Sequence, residues 1–446
     1  MSAIADDWET LTELFNDGSD HALREALVRL WVMSLDSVRL NHWEQSENEK
    51  TVSENKRAFE KAHSREQRMA LSQLRAAPLA LIRALDDILA VHAPQARGFS
   101  NTDAVFAYDL MGTEYWLVPV PLAARHKAHT AQQAMRQSRW FHHHAVFPRR
   151  TAHGYEVRLQ ASRSELDERL TSILGQPSPG LGVWIAHFCD GADVVWDQNS
   201  SPVGNWRTVR VSDHAIRARS ICATLKKCME QSAQVVVFPE FTIDLEQRKT
   251  VREFLQSQAT GSGPLIVVAG SFHAPVTDAA SGNTYFNTAP VYGPGGRELF
   301  AHRKLRLFGE ARVGSEHAEV GNQLDILLTP IGCMTVLICK DFCDDAPCVS
   351  GLLTEVPVDW VFVPSYGNRA TLSLHKKKAS QLARVTPGTS VAVAQTRNTA
   401  MDPKGRALTG FAHPAGQEKC VRVTRKGGMV TLPLAVQQRP RLSVVR

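Results

Sequence analysis

Apolar residues in the first part of the chain recur at helical spacing. Leu23, Leu27, Leu30, Ser34 and Val38 share one face after the break at Asn16-Asp17-Gly18-Ser19. A second amphipathic helix is predicted from Pro78, carrying Leu81, Ile82, Leu85, Ile88 and Leu89. The period then changes to two, predicting strands over Ala104–Leu110 and Tyr115–Val120 about a Met111–Glu114 turn. Helices are expected over Ala128–Trp140 and, from a Ser162/Glu165 capping pattern, as far as Leu174. Gln176-Pro177-Ser178-Pro179-Gly180 is the strongest break in the chain.

Beyond it the texture differs. Short β-branched runs follow: Val183–Phe188, Val235–Phe238, Leu265–Ala269, Ala289–Tyr292, Leu324–Leu328, Thr335–Ile338, Trp360–Val363 and Val391–Gln395. They alternate with helical stretches such as Asp213–Ser232, which argues for a layered α/β domain. The expected organisation is a mainly helical α+β domain over 1–175, a linker at 176–182, a catalytic domain over 183–434 and a tail at 435–446.

Composition sharpens this picture in one respect. Hydrophobic residues make up 43% and the net charge is only +6, so disorder is excluded and a nucleic-acid partner is not expected. The eight cysteines are asymmetric: the first 188 residues have none. The amino terminus lacks a secretory pattern and no apolar run is long enough to span a bilayer, so a cytoplasmic protein with reduced thiols is expected. The cysteines are then core packing, metal ligands or a nucleophile.

In such domains functional groups sit where strands end. Three do here. Glu240 ends Val235-Val236-Val237-Phe238-Pro239, Lys304 sits between Phe300 and Leu305, and Cys339 ends Thr335-Val336-Leu337-Ile338. Singly each has a plain structural reading: a helix-capping carboxylate, a snorkelling cation, a small buried thiol. Together they are a base, an oxyanion-stabilising cation and a nucleophile.

These residues, in this order, resemble the Glu–Lys–Cys signature of the nitrilase (carbon–nitrogen hydrolase) superfamily. The resemblance runs from about Leu181 to about Leu434 and leaves residues 1–175 unaccounted for. Tyr285–Ala289 with Gly293–Arg297, Asp359–Ser365, Gln381–Arg384 and Val391–Asn398 resemble further family segments. It implies a four-layer α-β-β-α sandwich, homodimers or higher homo-oligomers, and a small amide or nitrile substrate cleaved at a non-peptide C–N bond through a cysteine thioester. By the same resemblance Glu240 is the general base, Lys304 the oxyanion lysine and Cys339 the nucleophile. A second glutamate is implied between lysine and cysteine. Glu310 and Glu316 are the candidates, with Glu316 preferred for its distance to Gly321. No cofactor or metal is called for.

The sequence departs from the family after the nucleophile, where Lys340-Asp341-Phe342-Cys343 keeps only the acid. Rival readings remain. An acyltransferase would use the same triad, and a regulatory protein would keep the fold without turnover, with residues 1–175 recruiting a protein partner. A zinc site at Cys333, Cys339, Cys343 and Cys348 lacks the usual CxxC spacing. His142-His143-His144 reads as a surface segment, and Arg125, His126, Lys127, His129, Arg136 and Arg139 as a solvated basic face.

Overall fold

The structure is a computed structural model. It describes residues 7–92, 105–110, 112–120, 141, 143–176, 178–188, 190–197, 205–258, 261–276, 284–310, 314–344, 352–385, 389–397, 408–424 and 427–434. The helix expected over 128–140, the basic face from 125 to 139 and the 435–446 tail lie outside these residues.

The amino-terminal part begins with six helices, α1 (Trp8–Asp17), α2 (Asp20–Ser34), α3 (Ser37–Ser46), α4 (Glu49–Ser64), α5 (Leu71–Ala76) and α6 (Pro78–His92). The stripe read from Leu23 to Val38 is two helices. Asp36 caps α3 by accepting the N–H groups of Val38 and Arg39, and Val38 is solvent-exposed. A three-stranded sheet follows: β1 (Phe106–Leu110), β2 (Thr113–Pro119) and β3 (His144–Pro148), in that order. Its alternation gives it two jobs. Leu117 and Val146 face the helices with Trp31 and Phe141, whereas Val118, Ala145 and Phe147 face the rest of the molecule.

The histidine run is no surface segment. His144 is buried with its Nδ1 2.9 Å from Asp86, His143 Nε2 lies 3.1 Å from Asp87, and Lys56 completes the network at 2.6 Å from Asp87. His142 is outside the described residues. Lone surface histidines need no partner; here two adjacent aspartates in the middle of α6 supply one each.

The remaining strands are β4 (Glu156–Ala161), β5 (Gly180–Ile185), β6 (Val194–Asp197), β7 (Asn205–Val211), β8 (Val235–Val237), β9 (Ile266–Val268), β10 (Phe272–Pro275), β11 (Tyr285–Tyr292), β12 (Glu298–Arg303), β13 (Gly309–Glu310), β14 (Gly314–Glu316), β15 (Gln323–Thr329), β16 (Gly332–Val336), β17 (Trp360–Gly367), β18 (Ser390–Arg397), β19 (Leu408–His413), β20 (Val421–Thr424) and β21 (Gly428–Pro433). Two seven-stranded sheets result. One runs β10-β11-β9-β8-β5-β21 with β12 on β11, and the other β20-β19-β18-β17-β16-β15-β4.

Inward residues of both, among them Val183, Val235, Val268, Val291, Val336, Phe362 and Ala394, make one shared core. Helices α8 (His214–Glu230) and α9 (Leu245–Gln256) cover the first sheet through Leu225, Val251 and Leu255. The helix Arg369–Val385 covers the second through Leu372, Ala379 and Leu382. This is the four-layer α-β-β-α sandwich.

The sandwich begins before the expected linker. Strand β4 pairs in parallel with β15 from Glu156↔Gln323 to Ala161↔Leu328 and completes the second sheet. Helix α7 (Ser164–Leu174) then sends Leu166, Leu170 and Ile173 into the shared core. Ser178-Pro179 thus leads from α7 into β5 within the sandwich, and the Leu434 N–H donates to the Pro179 carbonyl. Ser162 does not cap α7 but donates to the Asp167 carboxylate. No helix among the described residues is long and apolar enough to cross a membrane.

Candidate active site

Glu240 leaves the end of β8, and its backbone is held on three sides. Its N–H donates to the Ser365 carbonyl at 3.3 Å, and its own carbonyl accepts from the Thr396 hydroxyl at 2.7 Å. A bridge to Ser271 fixes the third side. The chain then turns through Phe241 at φ 60°, a left-handed conformation that bulky residues avoid. Gly270 is required beside it, because a Cβ there would meet the Pro239 carbonyl oxygen at 2.3 Å. Lys304 follows β12, the return strand of the β11–β12 hairpin. Cys339 follows β16 at φ 44°, ψ −98°, its N–H donating to the Pro364 carbonyl at 2.8 Å, just before the helical turn Lys340–Cys343.

These elements bring together Glu240, Lys304 and Glu316. Lys304 Nζ donates to Glu240 Oε1 and to Glu316 Oε2, both at 2.8 Å. Glu240 is 1% exposed, Lys304 2%, Glu316 4% and Cys339 8%. Asn287 Nδ2 bridges the same carboxylates, at 3.0 Å from Glu240 and 2.7 Å from Glu316. The side chain of Glu310 is outside the described residues.

Electrostatics separates the roles. Burial dominates at Glu240 and, with the neighbouring Glu316 charge, holds its carboxyl above the usual range despite Lys304. At Glu316 burial is outweighed by Lys304 and by the His273 hydrogen bond, so its carboxylate is held ionised, below the usual range. Burial also works against the Lys304 ammonium, yet the two glutamates outweigh it and hold the proton firmly. The Cys339 thiol is pushed up by burial and by Glu240, with Lys304 opposing. At rest it is a thiol that needs a base.

Several participating residues have no local sequence signal. His273 Nδ1 accepts the Thr208 backbone N–H at 2.8 Å, so its Nε2 carries the proton and donates to Glu316 at 3.1 Å. The Asp341 carboxylate accepts the N–H groups of Leu305 (2.9 Å), Arg306 (2.7 Å) and Ile338 (3.1 Å) and lies 3.2 Å from His302 Nε2. It thereby ties the turn after Lys304 to the residue before Cys339. Ser365 Oγ lies 3.5 Å from Cys339 Sγ and 2.8 Å from His375 Nε2. Burial pushes His375 down to about 3, so this imidazole stays neutral at working pH.

The zinc alternative loses its geometry. Cys333 faces the outer core of the second sheet, while Cys339 faces the shared inner core. Cys348 is outside the described residues, and burial pushes the Cys343 thiol up to about 11.

Comparison with known proteins gives one family match and several similar folds. The carbon–nitrogen hydrolase family model matches residues 200–342, a segment that contains Glu240, Lys304, Glu316 and Cys339. No curated protein sequence matches the chain. Among solved structures, an amidase from Nesterenkonia sp. AN1 is similar at 15% identity and a TM-score of 0.42, over 58% of this chain and 92% of its own. Saccharomyces cerevisiae Nit3, a member of branch 10 of the nitrilase superfamily, is similar at 20% identity and 0.40, over 57% and 90%. A glutamine-dependent NAD+ synthetase from Acinetobacter baumannii is similar at 15% and 0.40, over 56% and 45%. The carboxy-terminal part of the chain thus carries the resemblance to the carbon–nitrogen hydrolase family.

Proposed function

We propose that the protein is a thiol-dependent carbon–nitrogen hydrolase of the amidase or nitrilase type, with Glu240, Lys304, Cys339 and Glu316 as its catalytic residues. The observation that carries this reading is the buried lysine held by two glutamates next to a cysteine in a left-handed backbone conformation. Glu240 takes the thiol proton as the Cys339 sulfur attacks the carbon of an amide or nitrile. Lys304 and the Lys340 backbone N–H stabilise the charge that develops on oxygen, or on nitrogen for a nitrile. For an amide, protonated Glu240 returns its proton to the departing amine, leaving a thioester, and then activates water to cleave it; for a nitrile the proton goes to nitrogen, and the resulting thioimidate adds water and loses ammonia to reach the same thioester. Glu316 keeps Lys304 charged and in place.

The test is acid quenching during turnover of a small amide, followed by mass spectrometry of the Cys339 peptide. An acyl adduct is expected in the wild type and none in Cys339→Ala. Turnover persisting in Cys339→Ala would overturn the mechanism. We also propose a homodimer, as the family resemblance implies, which light scattering at two concentrations checks.

A further inference from the structure

Beside the triad lies a cluster of rings that the proposed chemistry does not use. Trp196 sits at its centre, with ring centroids 5.1 Å from Trp206, 5.5 Å from Phe241 and 5.5 Å from Tyr366, each edge-on. Phe241 and Tyr366 are 5.5 Å apart, and Phe308 lies 6.1 Å from Trp206. Phe241 is buried, but Trp196, Trp206, Phe308 and Tyr366 are only half-buried, so they retain open ring surface.

The cluster is tied to the reacting groups at several points. The Cys339 thiol lies 3.6 Å from the carbonyl oxygen of Tyr366. Phe241 directly follows Glu240, and Lys304 Nζ lies 5.8 Å from its ring. Trp206 pairs with Glu316 in the β7–β14 register. Both tryptophans come from the β6–β7 hairpin, where Trp196 stands opposite Thr208. Trp206 and Thr208 are two residues apart and share a face. Thr208 reaches His273 on that face, while the intervening Arg207 pairs with Asp197 and lies over Tyr285. One hairpin face therefore presents two indole rings and orients the histidine that holds Glu316.

We propose, resting on the hydrolase reading above, that these rings form the acyl-group subsite and that the substrate carries a planar aromatic group close to the attacked carbon. The acyl group is the part that stays bonded to sulfur, and Tyr366 joins the two places, its backbone carbonyl beside that sulfur and its ring in the cluster. Half-buried rings meeting edge-on leave faces and edges that suit another aromatic ring better than a methyl group.

Calorimetric binding to the intact Cys339→Ala protein tests this without turnover, with phenylacetamide and acetamide as probes. Phenylacetamide is expected to bind at least about tenfold more tightly. The advantage should vanish when Trp196→Ala is added and return with Trp196→Phe, a variant that also controls for folding. Equal affinities, no phenylacetamide binding, or an advantage that survives Trp196→Ala would overturn the subsite. The hydrolase reading fails separately: tight phenylacetamide binding with no acyl adduct on wild-type Cys339 refutes the chemistry and leaves the subsite standing. Acylation by acetamide without phenylacetamide binding does the reverse.

Discussion

Replacing Asp341 tests how the two halves of the site are held in register. Its carboxylate is fully buried and accepts three backbone N–H groups, from Leu305 and Arg306 on one oxygen and from Ile338 on the other. Asp341→Ala strands all three donors in a site shut off from solvent. Each stranded donor costs about 1–3 kcal/mol, and partial entry of water into the vacated space brings the total to about 3–6 kcal/mol. Asp341→Asn keeps an oxygen for Leu305 and Arg306 and sets an amide N–H against the Ile338 donor, while His302 Nε2, 3.2 Å from that same position, accepts from the amide once the imidazole proton moves to Nδ1. One bond is then lost, at about 1–3 kcal/mol.

Urea unfolding at constant slope measures both variants, with Ala expected to lose about twice as much as Asn. Activity adds a second reading, because the same carboxylate positions Lys304 against Cys339. Misplacement by about 1 Å costs on the order of a hundredfold in turnover, so Asn should fold and still be slow. An Asp341→Ala protein within about 1 kcal/mol of wild type would refute the tether, as would an Asn variant with unchanged turnover.

In the proposed mechanism Glu240 must be ionised to act as a base, and burial raises its proton affinity, so kcat/KM should fall as pH drops through a limb above the ordinary carboxylate range. Glu316→Gln removes a charge that adds to this rise, so a pH profile should show the limb move to lower pH; an upward or absent shift counts against the pairing. Ser365→Ala removes a hydrogen bond that lowers the Cys339 thiol, so iodoacetamide labelling should shift to higher pH. Lys304→Met leaves two facing buried carboxylates and should cost about 3–5 kcal/mol in thermal or urea unfolding, much of it recovered by adding Glu240→Gln and Glu316→Gln.

Much of this site was legible in the chain because its residues end β-branched runs, and a strand end is visible locally. Glu240, Lys304 and Cys339 stand out for that reason, and the short strands of both sheets are visible as apolar runs. What escaped depends on partners distant in sequence. His273 looks like any histidine in a strand until Thr208, 65 residues away, takes its Nδ1. Asp341 and Ser365 acquire their roles only when turns after different strands meet. Strand β4 reads as part of the first domain because the Pro/Gly signal that follows it is strong, yet pairing with β15 overrides that punctuation. Helices α4 and α5 went unread, since α4 is largely polar and buries only Val52, Phe59 and Ala62.

Backbone strain and buried charge point to the same place independently of any likeness to other proteins. Among the described residues, five non-glycine positions have positive φ. Glu66, Asp213 and Ser232 adjoin the ends of α4 and α8, where a left-handed residue closes or opens a helix. Of the other two, Phe241 directly follows Glu240 and Cys339 carries the thiol. A left-handed Phe or Cys costs about 1–3 kcal/mol and persists only where the surroundings enforce it. Between them lies a buried lysine with two carboxylates, an arrangement that well-packed apolar residues often match or better in stability. Neither feature helps the protein fold. Strained backbone and desolvated charge converge on one thiol, and the proposed mechanism gives each a task there: one aims the sulfur, and the others take its proton and stabilise the charge that follows.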